Sequence, residues 1–226
     1  MRVCCVGISG AMGHQIVELG QVVCGISHHQ RADTPIMIRN NAAHDFPVFD
    51  VILDFSRPEA LPTSIALSKA RRVPLIVGTT GLGERDDMAL DELSREVAVM
   101  SAANFSLGVA AMIDAVQLLQ HRLAKMEVRV SEIHHIKKVD QPSGTAKTLK
   151  AALVHVDPEL EELEIHSERE GNVVGEHTVS FSDAYETLSV THTAHSKAVF
   201  AEGALQCAEW IIQQKPGRYT LHDFLK

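Results

Sequence analysis

The residues best suited to chemistry lie in residues 132–146, which read Glu-Ile-His-His-Ile-Lys-Lys-Val-Asp-Gln-Pro-Ser-Gly-Thr-Ala. His134 and Lys138 are close enough in sequence to converge on one ligand, and an imidazole or an ammonium group can act as a general acid. The Pro-Ser-Gly-Thr turn is predicted to start a helix, and the positive end of a helix binds anions. The turn would offer the N–H groups of Ser143, Gly144 and Thr145, together with the hydroxyls of Ser143 and Thr145. This stretch therefore predicts a site that binds a carboxylate and transfers a proton.

A glycine-rich turn near the N-terminus predicts a second site. Gly7, Gly10 and Gly13 follow a predicted strand and open a predicted helix, with two residues rather than the usual one between the first two glycines. In a dinucleotide-binding turn the first glycine makes the tight turn, the second admits the pyrophosphate and the third lets the helix pack on the sheet. The remaining candidates for cofactor binding in this turn are Ser9, Ala11 and Met12.

The end of the second predicted strand bears on which dinucleotide is bound. An acidic residue usually holds the adenosine ribose of NAD at this position, whereas this chain has Ser27 followed by residues 28–31, His-His-Gln-Arg. Without a carboxylate to repel a 2′-phosphate, NADPH should be accepted at least as well as NADH. The alternative interpretation is that this stretch is only a solvated loop.

Two further segments follow predicted strands, at the sheet edge where open α/β folds bind ligands. One is residues 78–81, Gly-Thr-Thr-Gly, and the other is residues 102–106, Ala-Ala-Asn-Phe-Ser. Glycines and hydroxyls there suit a close approach of the backbone to a flat ring, although each segment alone could be a structural turn. The candidates for cofactor binding are Gly78, Thr79, Thr80, Ala102, Ala103, Asn104 and Phe105.

The order of predicted elements indicates an α/β fold in two parts. Strands at residues 2–6, 22–26, 51–55, 75–77 and 97–100 alternate with helices at 12–19, 58–70 and 84–96, which predicts a Rossmann-like parallel sheet. After a helix over 106–124, strands at 127–135, 164–167, 177–181 and 187–194 surround a helix at 144–155, which favours an open mixed sheet. We expect a dinucleotide-binding domain at 1–105 with 201–226 and a smaller α+β substrate-binding and oligomerisation domain at 106–200.

Composition excludes several classes of protein. A net charge of −8 without a run of basic residues disfavours nucleic acid as a partner. The longest apolar stretch, residues 107–119, is interrupted by Asp114 and is too short for a membrane span, and the N-terminus lacks a signal peptide, so we expect a cytoplasmic protein. The four cysteines are expected to be free buried thiols, and the 13 histidines show no metal-binding motif, so no metal is expected.

The chain resembles the 4-hydroxy-tetrahydrodipicolinate reductase family, also called the dihydrodipicolinate reductase family. The resemblance runs through residues 7–13, 54–59, 78–81, 103–108, 132–146, 175–178 and 200–205. It implies a homotetramer joined through the open sheet, and reduction of a cyclic imine dicarboxylate with NADPH or NADH. It adds Phe55 and Ser56 to the cofactor site, and His135 and Lys197 to the substrate site. Lys197 stands where the family often has arginine, and Gln141 where it usually has alanine.

The resemblance also implies a mechanism. After loss of water from the substrate, hydride would move from the nicotinamide to the unsaturated ring carbon, and Lys138 or His134 would protonate the neighbouring carbon, while His135 would hold the pocket. Closure of the two domains about residues 105–108 and 197–201 is expected, because hydride transfer needs a dry, aligned pair of rings. Three alternatives remain open: an aspartate-type dehydrogenase on the same scaffold, a non-catalytic redox sensor that binds dinucleotide, and a zinc protein.

Overall fold

The computed structural model describes residues 1–27, 36–40 and 45–226. These form two compact units, Met1–Ser106 with Ala198–Lys226, and Leu107–Lys197. In chain order the strands are β1 (Val3–Val6), β2 (Val22–Ile26), β3 (Met37–Arg39), β4 (Val51–Asp54), β5 (Leu75–Val77), β6 (Ala98–Ser101), β7 (Glu127–His134), β8 (Ile165–Arg169), β9 (Gly175–Ser182), β10 (Thr187–Ala194) and β11 (Gly217–Tyr219). The helices are α1 (Ala11–Leu19), α2 (Leu61–Arg71), α3 (Glu84–Leu93), α4 (Leu107–Arg122), α5 (Gly144–Val156), α6 (Ala198–Ile211) and α7 (Leu221–Leu225).

The first unit is built on a seven-stranded parallel sheet in the order β11-β6-β5-β4-β1-β2-β3. The central strands β1, β4 and β5 are buried along their whole length, because helices cover both faces of the sheet. One face packs against α6, and the other packs against α2 and α3. The strand order reverses between β1 and β4, and ligands bind beside such a switch point in this fold. The predicted parallel α/β sheet is confirmed.

The second unit contains a four-stranded sheet in the order β10-β9-β7-β8. Strands β7 and β8 are parallel, whereas β9 is antiparallel to both β7 and β10, so the predicted mixed sheet is confirmed. Alternate residues of β9 are buried, as expected for a sheet with one covered face. Helices α4 and α5 cover that face, where Val116, Leu149 and Phe181 are fully buried.

Two strands were not predicted. Strand β3 follows β2 in the chain and pairs with it, and β11, in the C-terminal tail, pairs with β6. Both have three residues and lie at the edges of the sheet, so their sequences carry little periodic signal.

The four cysteines are free and buried, as predicted. Among the described residues, no helix combines the length and hydropathy that a membrane crossing requires.

Candidate active site

The glycine turn of the first unit has the predicted geometry at two positions. Gly7 has a φ of +82°, and a Cβ added there would lie 2.5 Å from the carbonyl oxygen of Phe55. A Cβ on Gly13 would lie 2.4 Å from the carbonyl oxygen of Gly7. Glycine is therefore required at both positions, by backbone conformation at the first and by close packing at the second. Gly10 precedes α1 without a side-chain cap, which suits an anionic ligand at the helix start.

The neighbouring cofactor candidates lie at the same edge of the sheet. The hydroxyls of Ser9 and Ser27 are hydrogen-bonded at 2.6 Å, which joins the glycine turn to the end of β2. Ala11 is exposed at the start of α1, and Met12 packs against the core beneath it. The prediction about residues 28–31 falls outside the described residues.

A buried carboxylate joins two of the cofactor segments. Asp54, the last residue of β4, is fully buried and accepts hydrogen bonds from the Ser56 N–H at 3.0 Å and the Thr79 hydroxyl at 3.0 Å. It also accepts hydrogen bonds from the hydroxyl of Ser56 and from the hydroxyl of Ser64 in α2, the latter at 2.5 Å. Asp54 therefore fixes the loop after β4 against the loop after β5. Sequence reasoning did not select it, although a carboxylate at the end of an apolar strand was a visible signal.

An aromatic ring fills the space beside these loops. Phe55 lies 5.5 Å from Phe105, measured between ring centroids. A Cβ on Gly78 would lie 2.1 Å from a carbon of the Phe55 ring, so only glycine fits there. The structure thus brings together Phe55, Gly78 and Phe105, three of the candidates for cofactor binding.

The other candidates in these loops are placed nearby along the chain. Thr80 and Ala103 are exposed, Ala102 packs against the core, and Asn104 accepts a hydrogen bond from the Ser106 N–H at 2.7 Å.

In the second unit, the polar centre is Glu132, whose side chain has no exposed surface. Its carboxylate accepts the Ser143 N–H at 3.0 and 3.2 Å and pairs with the guanidinium of Arg169 at 3.4 Å. Nδ1 of His134 lies 3.5 Å from Glu132 Oε2, and Nε2 of His177 lies 3.6 Å from the same oxygen. Sequence reasoning missed Glu132, Arg169 and His177 as site residues, because three strands must be aligned before they meet.

Ser143 is used differently from the prediction. Its N–H, expected to bind a ligand carboxylate, is donated to Glu132, while its hydroxyl caps α5 by accepting the Ala146 N–H at 3.1 Å. The same hydroxyl lies 3.1 Å from Nε2 of His177. In the first turn of α5, Gly144 is exposed and Thr145 is half-buried.

His134 is held in a crowded environment. Its ring stands edge-on to that of His177, with centroids 5.0 Å apart, and Gly175 leaves the space for Nε2. Burial lowers the pKa of His134 below its ordinary value, Glu132 opposes this shift, and the positive charges of Lys138 and Arg169 reinforce it. His134 is therefore neutral near pH 7 in the unliganded protein.

Lys138 lies in the loop after β7, where its ammonium group binds both carboxylate oxygens of Asp140 at 2.8 and 2.9 Å. The carbonyl oxygen of the half-buried His135 accepts the Lys138 N–H at 3.0 Å. Lys197 is exposed beyond β10, and in the part of the chain described no hydrogen bond or ion pair joins it to Glu132 or His134. The structure thus groups Lys138 and His135 in one loop.

Three of these groups could in principle hold a metal ion. Donor atoms of Glu132, His134 and His177 lie within 4.8 Å of one another. However, the carboxylate already accepts the Ser143 N–H and faces the guanidinium of Arg169, which would repel a further cation. The geometry therefore favours an ion-pair network over a metal centre.

Comparisons with known proteins agree with this geometry. A family model described as dihydrodipicolinate reductase, N-terminus, matches residues 1–105, and one described as dihydrodipicolinate reductase, C-terminus, matches residues 108–225. The 4-hydroxy-tetrahydrodipicolinate reductase of Thermosipho africanus is 38% identical over 229 residues, covering 100% of this chain and 98% of the relative. The reductase of the same name from Caldanaerobacter subterraneus subsp. tengcongensis is 33% identical over 252 residues, covering 97% and 96%.

Solved structures show the same fold. A dipicolinate-bound dihydrodipicolinate reductase from Paenisporosarcina sp. TG-14 matches with a TM-score of 0.81 at 20% identity, covering 97% of both chains. An aspartate dehydrogenase from Thermotoga maritima matches with a TM-score of only 0.55 at 15% identity, covering 95% of this chain and 97% of that one. With a glycine turn on a parallel sheet, and with reductases as its relatives over nearly the full chain, the protein is a nicotinamide-dependent oxidoreductase. Within that class, the chain belongs to the dihydrodipicolinate reductase family.

Proposed function

We propose that this protein reduces 4-hydroxy-tetrahydrodipicolinate to tetrahydrodipicolinate with NADPH or NADH, with release of the hydroxyl group as water, in the diaminopimelate route to lysine. The observation that carries the proposal is the arrangement around Glu132, which sets an imidazole, a lysine loop and a helix start side by side in a member of this reductase family. Such a set suits an anionic substrate that must also receive a proton.

The cofactor would lie along the carboxyl edge of the parallel sheet. Its pyrophosphate would meet the N–H groups at the start of α1, after Gly10. The loops that contain Gly78, Thr79 and Phe105 would hold the nicotinamide end, where the bound cofactor supplies hydride. Ser27 supports use of NADPH, because it presents a hydroxyl rather than a repelling carboxylate.

The substrate has two carboxylates, and different groups would bind them. Gly144 and Thr145 would offer the N–H groups of the first turn of α5, while Lys138 and Lys197 would supply positive charge. A bound dianion would also raise the pKa of His134 from its lowered value, because a nearby negative charge favours the imidazolium form. His134 or Lys138 would then donate the proton to the ring carbon, and His135 would support the pocket wall.

We further propose that the protein is a cytoplasmic homotetramer. The face of the four-stranded sheet that α4 and α5 leave uncovered would form the subunit contacts. Its residues alternate with the buried ones and include Arg129, Ser131, Thr178 and Ser180. Light scattering of the purified protein would measure the oligomer directly.

The test is oxidation of NADPH, followed at the absorbance band of reduced nicotinamide, with substrate generated by the preceding synthase. His134→Ala and Lys138→Ala should each lower turnover by about 10²–10⁴-fold if the replaced group transfers the proton. Lys125→Ala, at an exposed position, is the matched control and should retain activity. Binding of NADPH without its oxidation would refute the function and leave a redox sensor. Near-normal turnover of both variants would remove these residues from the mechanism.

A further inference from the structure

Glu132 on β7 and Arg169 on β8 form a buried ion pair next to the proposed proton donors. Glu132 is inaccessible, and the side chain of Arg169 is only 16% exposed. The two residues lie on parallel neighbouring strands, where His134 is the register partner of Arg169. Burying both charges carries a desolvation cost that an apolar pair of similar volume would avoid. The contacts of Glu132 and of Arg169 indicate which parts of the site the two charges hold in place.

Glu132 holds the start of α5 and faces both imidazoles. Its two oxygens accept the Ser143 N–H at 3.0 and 3.2 Å, which pins the helix start to β7. Oε2 also lies 3.5 Å from His134 Nδ1 without forming a hydrogen bond, and at this distance the carboxylate favours protonation of the imidazole.

Arg169 holds the loop that contains Lys138. Its guanidinium donates to the carbonyl oxygen of Asp140 at 2.6 Å and to that of Lys138 at 3.4 Å. A third hydrogen bond, to the carbonyl oxygen of Glu168 at 2.7 Å, fixes the side chain against its own strand. One planar group thus ties the loop to β8 and to Glu132 at the same time.

We infer that the Glu132–Arg169 ion pair is a positioning element that sets His134, the Lys138 loop and the start of α5 in one fixed arrangement. Neither residue needs to touch the substrate. The pair is also neutral as a unit, so the carboxylate of Glu132 does not repel an anion bound at the helix start. The catalytic consequence rests on the proposed function, whereas the effect on His134 does not.

The charges around His134 predict in which direction its pKa should change when Glu132 is neutralised. The groups that face it are Glu132 on its own strand, His177 on β9, Arg169 on β8, and Lys138 with Asp140 in the following loop. The charges of Glu132 and Asp140 favour the imidazolium form of His134, whereas those of Lys138 and Arg169 oppose it. Glu132→Gln keeps an acceptor for the Ser143 N–H but removes the negative charge. The pKa of His134 should therefore fall further in this variant.

The first experiment is a histidine titration by ¹⁵N NMR without cofactor or substrate. The His134 resonance is assigned as the one missing from His134→Gln. In Glu132→Gln it should titrate at lower pH than in the wild type, while Glu96→Gln, which breaks the exposed ion pair with Lys69, should leave it unchanged. An identical His134 titration in Glu132→Gln and the wild type would overturn the inference, even if the enzyme proved to have another substrate.

The second experiment tests Arg169 by kinetics. Arg169→Lys keeps a positive charge near Glu132 but loses the planar fork, so the Lys138 loop should be misplaced. We expect kcat to fall by about 10²-fold, the cost of a displacement of about 1 Å, while the His134 titration stays near that of the wild type. Glu96→Gln should keep wild-type kinetics.

The outcomes of the two experiments distinguish failure of the inference from failure of the proposed function. Wild-type kinetics in a folded Arg169→Lys would refute the role of Arg169. If Glu132→Gln failed to fold, as circular dichroism would show, Arg169→Lys would carry the test. No reduction by the wild type itself would refute the proposed function and leave the titration as the test of the ion pair.

Discussion

His177 should make the stability of this protein fall in mild acid. The side chain is 5% exposed and lies between Ser143 and Glu132. Burial and the charge of His134 lower its pKa from 6.5 to about 4, although Glu132 opposes the shift. The unfolded chain therefore binds a proton at a pH where the folded chain does not. This contribution to stability is present above pH 6.5 and is lost as the pH falls towards 4.

The magnitude follows from the two pKa values. Between about pH 7 and about pH 5, protonation of the unfolded state should remove about 2 kcal/mol from the free energy of unfolding. His177→Gln removes the titrating group. Between these two pH values, the variant should therefore lose about 2 kcal/mol less of its free energy of unfolding than the wild type loses. The variant should also be less stable at neutral pH, because the contact with the Ser143 hydroxyl is altered.

Urea unfolding of the wild type and His177→Gln at the two pH values measures this difference. Groups that titrate equally in both proteins contribute equally to the pH dependence, so their contributions cancel in the comparison. His121→Gln, at an exposed position in the last turn of α4, is the control and should keep the pH dependence of the wild type. If His177→Gln lost as much stability between the two pH values as the wild type, the buried neutral state of His177 would be refuted.

Three further substitutions test the cofactor end. Gly78→Ala should destabilise the protein by about 1–3 kcal/mol and weaken NADPH binding, since its Cβ would overlap the Phe55 ring; thermal unfolding and calorimetric titration measure the two effects. Asp54→Asn replaces an acceptor of four hydrogen bonds with a group that also donates, so the Kd for NADPH should rise by about tenfold, and unchanged binding would exclude a positioning role. Ser27→Asp should shift the ratio of catalytic efficiencies towards NADH by at least about tenfold, and an unchanged ratio would mean that this strand end does not meet the 2′-phosphate.

Local sequence patterns were sufficient where an element is long and its neighbours lie close in the chain. The prediction for β10, residues 187–194, has the bounds seen in the structure, because Leu188, Val190 and Ala194 alternate with serine and threonine residues and only His192 interrupts the pattern. Strands β3 and β11 could not be found in this way. Each has three residues, and each is defined by its pairing with another strand of the sheet, β2 for β3 and β6 for β11.

The same distinction applies to the candidate site. The glycine turn could be predicted because its chemistry depends on consecutive residues, and Gly7 and Gly13 have the required conformation and packing. The cluster of Glu132, Arg169 and His177 could not, since it depends on the register of β7 with β8 on one side and β9 on the other. A shift of one residue in either register would send these side chains to the opposite face of the sheet.

Ser143 shows why a helix start cannot be assigned to a ligand from sequence alone. The Pro-Ser-Gly-Thr turn has the hydroxyls and N–H groups that bind a carboxylate, and the structure contains such a carboxylate, but it belongs to Glu132 of the same chain. An internal anion at this position ties the helix to the sheet, and its charge is balanced by Arg169. A ligand anion at this turn would then have to use the N–H groups of Gly144 and Thr145, further along the first turn. The motif thus predicts an anion at the helix start, but only the arrangement of the neighbouring strands determines which anion it is.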